Sequence, residues 1–270
     1  MPELPEVETV VRALRPQLVG RTLHSVQNRW PRHIATPDLP ELQMRVQGLT
    51  FTAIQRRAKY IVCRLSGGEN LLFHLKMTGH LAVVPAQLPL DKHSHTIFTL
   101  DGDEELRFTD TRKFGRVYLV RELDEVVGGL GPEPLEPEFT PELLGQRLQN
   151  HKRAIKPTLL DQTVLAGVGN IYADEALHSA GIHPTRPANS LNSAELSALH
   201  TSIQMVLQMG IEREGASISD YVKPDGTKGD MQNAVAVFRR TGMGCYRCGR
   251  IVERIVLGGR STHFCPGCQV

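Results

Sequence analysis

The stretch CYRCGRIVERIVLGGRSTHFCPGC, residues 245–268, contains four of the five cysteines in this 270-residue chain. They form two Cys-x2-Cys pairs separated by sixteen residues: Cys245, Cys248, Cys265 and Cys268. This spacing is typical of a structural zinc site, in which four thiolates about 2.3 Å from the metal close the tetrahedron. The residues between the pairs predict a β-hairpin with its turn at Gly258 and Gly259, so that Arg260 follows the turn. The sequence therefore predicts a zinc finger at residues 237–270 that holds one structural Zn2+.

The charge of the chain is unevenly distributed, although its formal net charge is only +2. Residues 237–270 hold six arginines and one acid, and residues 52–64 hold four basic residues and no acid. Residues 121–145 hold seven acids and one arginine. Basic surfaces separated by an acidic segment are typical of a protein that binds a polyanion. Solvated charge runs are also common, so charge alone does not identify the partner.

Several features indicate a cytoplasmic protein. No window of 18 apolar residues predicts a membrane span, and the first thirty residues lack the apolar core of a secretion signal. Clustered cysteines that bind a metal suit a reducing compartment better than disulfides do. The fifth cysteine, Cys63, alternates with Ile61 and Leu65 and is interpreted as a buried, small apolar side chain.

The N-terminal half has the pattern of a β-sandwich with one helix. Apolar residues at helical spacing predict a helix over residues 5–19 that ends at Gly20. Eight short runs of β type follow, and a sandwich with the helix laid on it is the simplest arrangement for them. The runs comprise residues 22–28, 50–55, 59–65, 70–75, 81–84, 96–100, 105–109 and 116–121.

The C-terminal half has a helical pattern. The Pro- and Glu-rich residues 130–139 predict a stiff, extended linker. The predicted helices after it comprise residues 141–151, 156–162, 170–179 and 193–212. We therefore expect an α+β, multidomain protein whose boundaries enclose residues 1–129, 140–236 and 237–270.

The N-terminal sequence MPELPEVE holds a candidate nucleophile and two candidate acid–base residues. Removal of Met1 exposes the secondary amine of Pro2, whose pKa of about 8 leaves part of it unprotonated and able to attack an aldehyde-level carbon. Glu3 and Glu6 lie beside it. An ordinary helix start, with Pro5 at the first helical position and carboxylates near the positive end of the helix dipole, explains the same residues. From these residues alone the ordinary helix start is the stronger interpretation.

Two loop-like segments, at residues 74–81 and 110–116, present Met77, Arg112 and Phe114. Apolar side chains and an arginine on loops suit a protein that enters a base stack and replaces an extruded nucleotide. Taken singly, however, Met77 and Phe114 are more typical of a core.

The sequence LAGVGNIYADEAL, residues 165–177, predicts a helix, a glycine turn and a second helix. Asn170 lies at the N-terminus of the second helix, where backbone amides and the helix dipole favour phosphate. An ordinary N-cap is equally consistent with this residue.

The motifs together resemble those of the formamidopyrimidine-DNA glycosylases, the bacterial base-excision repair enzymes for oxidised purines. The resemblance runs nearly end to end: PELPEVET, RRAKY, HLKMTG, DTRKFGR, LGPEPL, AIKPTLLDQ, GVGNIYADEAL, AGIHP and GRSTHFCPGCQ. It implies a helix-flanked β-sandwich, a helical domain with a helix–two-turn–helix motif, and a zinc hairpin. It also implies a monomer that needs no redox cofactor and binds double-stranded DNA containing an oxidised base.

The resemblance implies a bifunctional glycosylase and abasic-site lyase, with catalytic roles for five residues. Pro2 would attack C1′ and form a Schiff base with the opened sugar, while Glu3 would protonate the sugar ring oxygen and Glu6 would support the amine. Lys59 would act in β-elimination, and Arg260 would serve δ-elimination and phosphate binding.

The resemblance also implies two sets of DNA contacts. Met77, Arg112 and Phe114 would fill the gap left by the flipped nucleotide, with Arg112 facing the orphaned cytosine. The implied contacts to the DNA backbone are His74, His93, His151, Lys152, Lys156 and Asn170.

Three stretches of the sequence depart from the family pattern. Lys76 replaces a usual glycine, and Asp230 with Met231 replaces a glycine and an aromatic residue in the segment that caps the damaged base, residues 217–232. The sequence VFRRTGMGC, residues 237–245, replaces the usual VYGR and a proline before the cysteine. These changes bear on lesion preference rather than on the chemistry.

Two other functions fit parts of the sequence. The related endonuclease VIII type prefers oxidised pyrimidines, but it tends to have glycine where this chain has Leu4. The charge distribution alone also fits a zinc-stabilised DNA-binding protein without catalysis, but binding has no need for a free amine at Pro2. The purine-specific glycosylase is therefore the favoured prediction.

Overall fold

The computed structural model describes residues 1–218 and 220–270, and the chain separates into two compact units. The first unit comprises Met1–Gly129 and Glu214–Asp230, and the second comprises Leu130–Arg213 and Met231–Val270. The segment Glu214–Asp230, expected within the helical domain, thus belongs to the first unit. Residues 130–139, expected as a separate linker, belong to the second.

The first unit is a β-sandwich flanked by helices, as expected. Its helices are α1 (Leu4–Leu18), α2 (Leu39–Val46) and α3 (Asp124–Val127). Its strands are β1 (Leu23–Asn28), β2 (Ile34–Thr36), β3 (Phe51–Arg57), β4 (Tyr60–Leu65), β5 (Asn70–His74), β6 (Gly79–Pro85), β7 (Ser94–Leu100), β8 (Glu104–Asp110) and β9 (Arg116–Val120). One sheet has the order β1-β7-β8-β6 and the other the order β2-β9-β5-β4-β3.

Aromatic and aliphatic side chains form the core of the sandwich. The ring of Phe73 lies 5.7 Å from that of Phe98 and 5.8 Å from that of Phe108, both in edge-to-face contact. The apolar face of α1 is fully buried in the same cluster, as its helical spacing predicted: Val7, Val10, Val11, Leu14 and Leu18. Cys63 is also in this core, which confirms its interpretation as a small apolar side chain.

All eight predicted strands are present, whereas β2, α2 and α3 were not predicted. β2 has three residues, too few to show an alternation. α2 begins at the N-cap Asp38, whose carboxylate accepts from Glu41 N at 3.0 Å, but the helix buries only Leu42 and Val46. Two buried residues give a weak periodic signal.

The second unit contains helices and one hairpin. The helices are α4 (Pro141–Leu148), α5 (Ile155–Leu159), α6 (Asn170–Ala180) and α7 (Ser193–Glu212), and the hairpin strands are β10 (Glu253–Leu257) and β11 (Arg260–Phe264). Residues 130–139 pack within this unit, where Pro134 O accepts from Gln204 Nε2 at 3.1 Å and Phe139 O accepts from His200 Nε2 at 2.6 Å. No helix in the described part of the chain is both long and apolar enough to span a membrane.

Candidate active site

The predicted nucleophile and its two carboxylates lie at the N-terminus of α1, and all three residues are buried. Glu3 is the N-cap of α1, and its backbone N donates to Glu6 Oε2 at 2.8 Å in a capping box. The helix-start interpretation is therefore right about the local geometry. The two glutamates are more deeply buried than helix capping requires, since Glu3 and Glu6 are only 3% and 2% exposed. Glutamate is seldom fully buried without partners.

Glu6 also fixes a segment that is distant in the sequence. Its second oxygen, Oε1, accepts from Ala216 N at 2.7 Å. Gly215 has a φ of +83°, and a Cβ there would lie 2.8 Å from Glu6 Cγ, so glycine permits the close approach. The hydroxyl of Tyr221 donates toward Glu6 O at 3.4 Å and Glu214 O at 3.3 Å. One carboxylate therefore holds both the chain start and the segment Glu214–Asp230.

Lys59 lies in the turn between β3 and β4, where Ala58 has a φ of +52°. Lys59 is buried, with only 4% of its surface exposed. Burial, helped by the charges of Lys76 and Lys59, lowers the pKa of His74 to about 3. His74 Nδ1 accepts from Lys76 N at 3.0 Å, so at neutral pH the ring is uncharged with its proton on Nε2. His74 can thus donate one hydrogen bond to a phosphate but brings no charge.

The three predicted gap-filling side chains are on the surface of the first unit. Met77 is 36% exposed and Phe114 is 46% exposed, so neither is a core residue. The Arg112 guanidinium lies 4.9 Å from the centre of the Phe114 ring. His93 is half-buried, and its carbonyl accepts from Asp110 N at 2.9 Å at the start of the loop that carries Arg112 and Phe114.

The zinc hairpin forms as predicted. Leu257 pairs with Arg260 across a two-residue turn in which Gly258 and Gly259 both have positive φ, the backbone of a tight hairpin turn. Arg260 is exposed at the start of β11. The carbonyl of the next residue, Ser261, accepts from Asn170 Nδ2 at 3.1 Å and from Lys156 Nζ at 2.7 Å.

Lys156 occupies a buried position that sequence reasoning did not anticipate. It is 0% exposed, and its ammonium lies 2.7 Å from Asp174 Oδ1 and 2.9 Å from Thr262 Oγ1 in addition to Ser261 O. Two hydrogen bonds to the hairpin and an ion pair with Asp174 thus hold the ammonium among buried groups. The arrangement favours a role in holding the hairpin over the predicted direct contact to phosphate. The other two basic candidates in this region differ, since His151 is half-buried and Lys152 is exposed.

The four clustered cysteines fit a zinc ion. Their Sγ atoms all lie within 4.8 Å of one another, with 3.9 Å between Cys245 and Cys268 and 3.4 Å between Cys248 and Cys265. Four thiolates at zinc bond length stand about 3.8 Å apart in a tetrahedron. His178 Nε2 lies 3.5 Å from Cys245 Sγ, in reach of a hydrogen bond that orients a ligand.

Two of the departures from the family pattern occur at backbone positions that suit glycine. Lys76 has a φ of +54° and Arg239 a φ of +58°. The chain therefore keeps the left-handed backbone there and bears a steric cost that glycine avoids. Met231 is fully buried. Ser219, within the predicted capping segment, lies outside the described residues.

Asp110, Asp174 and Glu175 are buried carboxylates that the sequence analysis did not single out. Asp174 Oδ2 accepts from His263 N at 2.9 Å, and Glu175 accepts from three consecutive backbone N–H groups, those of residues 236–238, at 2.6–3.0 Å. Asp110 ends β8 and is 0% exposed. The adjacent acids in the otherwise apolar IYADEAL run were the available signal, because a buried carboxylate requires donors.

Comparison with known proteins gives one family. Three family models match the chain: the formamidopyrimidine-DNA glycosylase N-terminal domain over residues 1–117, the formamidopyrimidine-DNA glycosylase H2TH domain over 130–222, and the zinc finger found in FPG and IleRS over 245–270.

Full-length relatives and solved structures agree with these models. The formamidopyrimidine-DNA glycosylase of Herpetosiphon aurantiacus is 47% identical over 272 residues, covering 100% of both chains, and that of Protochlamydia amoebophila is 43% identical, covering 100% of this chain and 99% of the relative. The Lactococcus lactis Fpg in complex with abasic-site DNA has a TM-score of 0.92 at 39% identity and 99% coverage of both chains. The MutM (Fpg) protein of Thermus thermophilus has a TM-score of 0.90 at 42% identity, covering 99% of this chain and 98% of that one. The chain therefore belongs to the formamidopyrimidine-DNA glycosylase family.

Proposed function

We propose that this chain removes oxidised purines from duplex DNA and then cleaves the strand at the abasic site, using Pro2 as the nucleophile. As a member of its family it is a base-excision repair glycosylase with abasic-site lyase activity, and its partner is DNA containing a damaged base. The observation that carries the residue assignment is the buried cluster of Pro2, Glu3 and Glu6 at the start of α1. A proline amine next to two desolvated carboxylates provides both a nucleophile and proton donors.

The proposed chemistry begins at C1′ of the damaged nucleotide. The nitrogen lone pair of Pro2 forms a bond to C1′ as the bond to the base breaks. The base leaves with the bonding electrons and takes up the proton that the Pro2 nitrogen loses. Glu3 gives its proton to the ring oxygen O4′ as the sugar opens, and the product is an iminium ion between Pro2 and C1′. Glu6 holds the chain start through its bond from Glu3 N.

Two eliminations follow from the iminium ion. Its positive charge acidifies the proton on C2′, so removal of that proton expels the 3′ phosphate, and a second elimination expels the 5′ phosphate. We assign the first step to the buried Lys59. We assign phosphate binding in the second to Arg260, which the hairpin turn presents to solvent.

Lesion preference is tested by direct comparison of substrates. We expect faster excision of 8-oxoguanine opposite cytosine than of an oxidised pyrimidine in an otherwise identical duplex. Support comes from the exposed Met77, Arg112 and Phe114, which suit replacement of an extruded purine. The opposite rank order identifies the endonuclease VIII type instead. A protein that binds both duplexes, leaves both intact and forms no borohydride-stable complex is a DNA-binding protein without catalysis.

The substrate also suggests where the protein acts. A DNA repair enzyme whose four thiols bind zinc suits the reducing cytoplasm, and we infer that it works at the nucleoid.

Zinc removal is expected to abolish DNA binding. Chelation, or the substitution Cys248→Ser, removes the metal that fixes the hairpin, and the hairpin carries Arg260. Fluorescence anisotropy with a duplex containing an abasic-site analogue measures the loss of binding. Cys63→Ala is the matched control, because Cys63 lies in the sandwich core and the variant should retain one zinc per chain. Unchanged affinity after complete chelation would make the zinc dispensable for binding.

Lys156→Met separates a positioning role from a phosphate contact. The substitution leaves Asp174 buried without its cation, so we expect the free energy of unfolding of the second unit to fall by about 3–5 kcal/mol. Lys152→Met, at an exposed site, should leave unfolding unchanged and reduce the slope of log Kd against log salt by about one. Urea unfolding and salt titrations of DNA affinity measure both effects. If Lys156→Met instead behaves like Lys152→Met, Lys156 contacts phosphate directly.

A further inference from the structure

The loops that carry the gap-filling side chains are two crossings between the same pair of sheets. The connection from β5 to β6 carries Met77, and the connection from β8 to β9 carries Arg112 and Phe114. β5 pairs with β9 in the five-stranded sheet, and β6 pairs with β8 in the four-stranded sheet. The two connections therefore lie side by side, because both of their ends are attached to neighbouring strands.

The carboxylate of Asp110 joins these two connections. Its Oδ1 accepts from the hydroxyl of Thr78, the residue after Met77, and from Arg112 N at 3.1 Å. Its Oδ2 accepts from Gly115 N, the residue after Phe114, at 2.6 Å. The hydroxyl oxygen of Thr78 itself lies 3.2 Å from Arg112 N. Each gap-filling residue thus carries, or directly precedes, a donor to this carboxylate.

The surroundings of Asp110 leave the second loop little freedom to move. A Cβ on Gly115 would lie 2.6 Å from Phe108 Cζ and 2.7 Å from His33 Nε2, so the loop packs directly on buried rings. His33 is fully buried, and its Nδ1 lies 2.7 Å from Thr96 Oγ1. The ammonium of Lys113, in the same loop, lies 4.3 Å from the centre of the Trp30 ring.

We propose that Asp110 and Thr78 are positioning residues for gap filling, which fix Met77, Arg112 and Phe114 as one preorganised unit. This proposal rests on the proposed function, because it assumes that a nucleotide is extruded. A base stack that has lost a nucleotide tends to close, and side chains on mobile loops lose conformational entropy when they enter it. Loops held in place before binding avoid that entropy loss. The hydrogen bonds to a charged acceptor supply the rigidity.

Thr78 gives the sharpest test, since its hydroxyl can be removed without a change in shape. We expect Thr78→Val to slow single-turnover excision of 8-oxoguanine by about tenfold, the value of one hydrogen bond to a charged group. Thr78→Ser keeps the hydroxyl and should restore excision to within about twofold of the parent rate, well under the effect of a lost hydrogen bond. Thr99→Val is the matched control. It removes from β7 a hydroxyl that accepts a hydrogen bond from Ser25 Oγ on β1 at 3.0 Å.

A spectroscopic signal distinguishes gap filling from general stability. 2-Aminopurine placed beside the lesion becomes more fluorescent when its stacking is disturbed on binding of the protein. Thr78→Val should reduce this increase in fluorescence, whereas Thr78→Ser should preserve it. Combining Thr78→Val with Phe114→Ala should slow excision by less than the product of the two single effects, because Thr78 acts partly through the loop that carries Phe114. Asp110→Asn should resemble Thr78→Val or be slower, since an amide cannot accept on both sides.

Three results would overturn the proposal: parent-like excision and fluorescence in Thr78→Val, failure of Thr78→Ser to restore them, or fully additive losses in the double variant. Failure of the proposed function is a separate result. In that case the parent protein itself neither excises 8-oxoguanine nor cleaves a preformed abasic site.

Discussion

Replacement of Pro2 by glycine is expected to reduce the borohydride-trapped complex with lesion-containing DNA by about a hundredfold or more. Proline forms an iminium ion whose positive charge is permanent, whereas glycine forms an imine that must be protonated before it withdraws electrons as strongly. Glycine also loses the ring that fixes the nitrogen within the buried cluster at the start of α1. Gel analysis of trapped complexes, with intact-mass measurement of the N-terminus, tests this result.

Pro5→Ala is the matched control for the nucleophile. It removes the other proline at the start of α1 and leaves the amine of Pro2 in place. Trapping by this variant should remain close to that of the parent protein. Equal trapping by Pro2→Gly and the parent would assign the Schiff base to another amine.

Glu3→Gln is expected to reduce base release by about 10²–10⁴-fold while sparing cleavage at a preformed abasic site. Glutamine has the shape of glutamate but has no acidic proton to give to O4′ when the sugar opens. An abasic site is already at the aldehyde level, so the imine forms there without that proton transfer. Single-turnover assays on an 8-oxoguanine duplex and on an abasic duplex measure the two activities.

Glu8→Gln controls for the loss of a carboxylate from the same helix. Glu8 lies outside the buried cluster and pairs with Arg12 at 2.9 Å and Arg56 at 3.1 Å. Both activities should persist in this variant. Loss of abasic-site cleavage in Glu3→Gln, together with base release, would contradict the role of Glu3 as the acid for base release.

Local sequence signals were sufficient for much of the fold. The spacing of four cysteines predicted the zinc hairpin because ligand geometry restricts their separation, and Gly258 with Gly259 located its turn. The strands were visible as short β-type runs, several of which alternate, although β5 and β7 are buried along most of their length. The two-residue signal of α2 and the three residues of β2 were too short to detect.

The contacts that organise the site were not predictable, because they join residues that are distant in the chain. Glu6 bonds Ala216 N across 210 positions, and Lys156 bonds Thr262 across 106. A sequence shows which residues can donate or accept hydrogen bonds, but it does not show which donor pairs with which acceptor in the fold. For Lys156 this changed the interpretation, since a basic residue in a DNA-binding motif is fully buried. The DNA contacts of the remaining candidates stay predictions.

The paired crossings between the two sheets have a mechanical consequence. Side chains inserted into DNA experience a restoring force from the bases that tend to restack. On an ordinary hairpin tip that force would bend two strands away from their sheet. Here the connections β5–β6 and β8–β9 are anchored at both ends in different sheets, so the load passes along four strands into both layers of the sandwich. The sheets thus carry the force that the Asp110 and Thr78 hydrogen bonds pass on from the loops, and substitutions at the tips can alter what is inserted while the support remains unchanged.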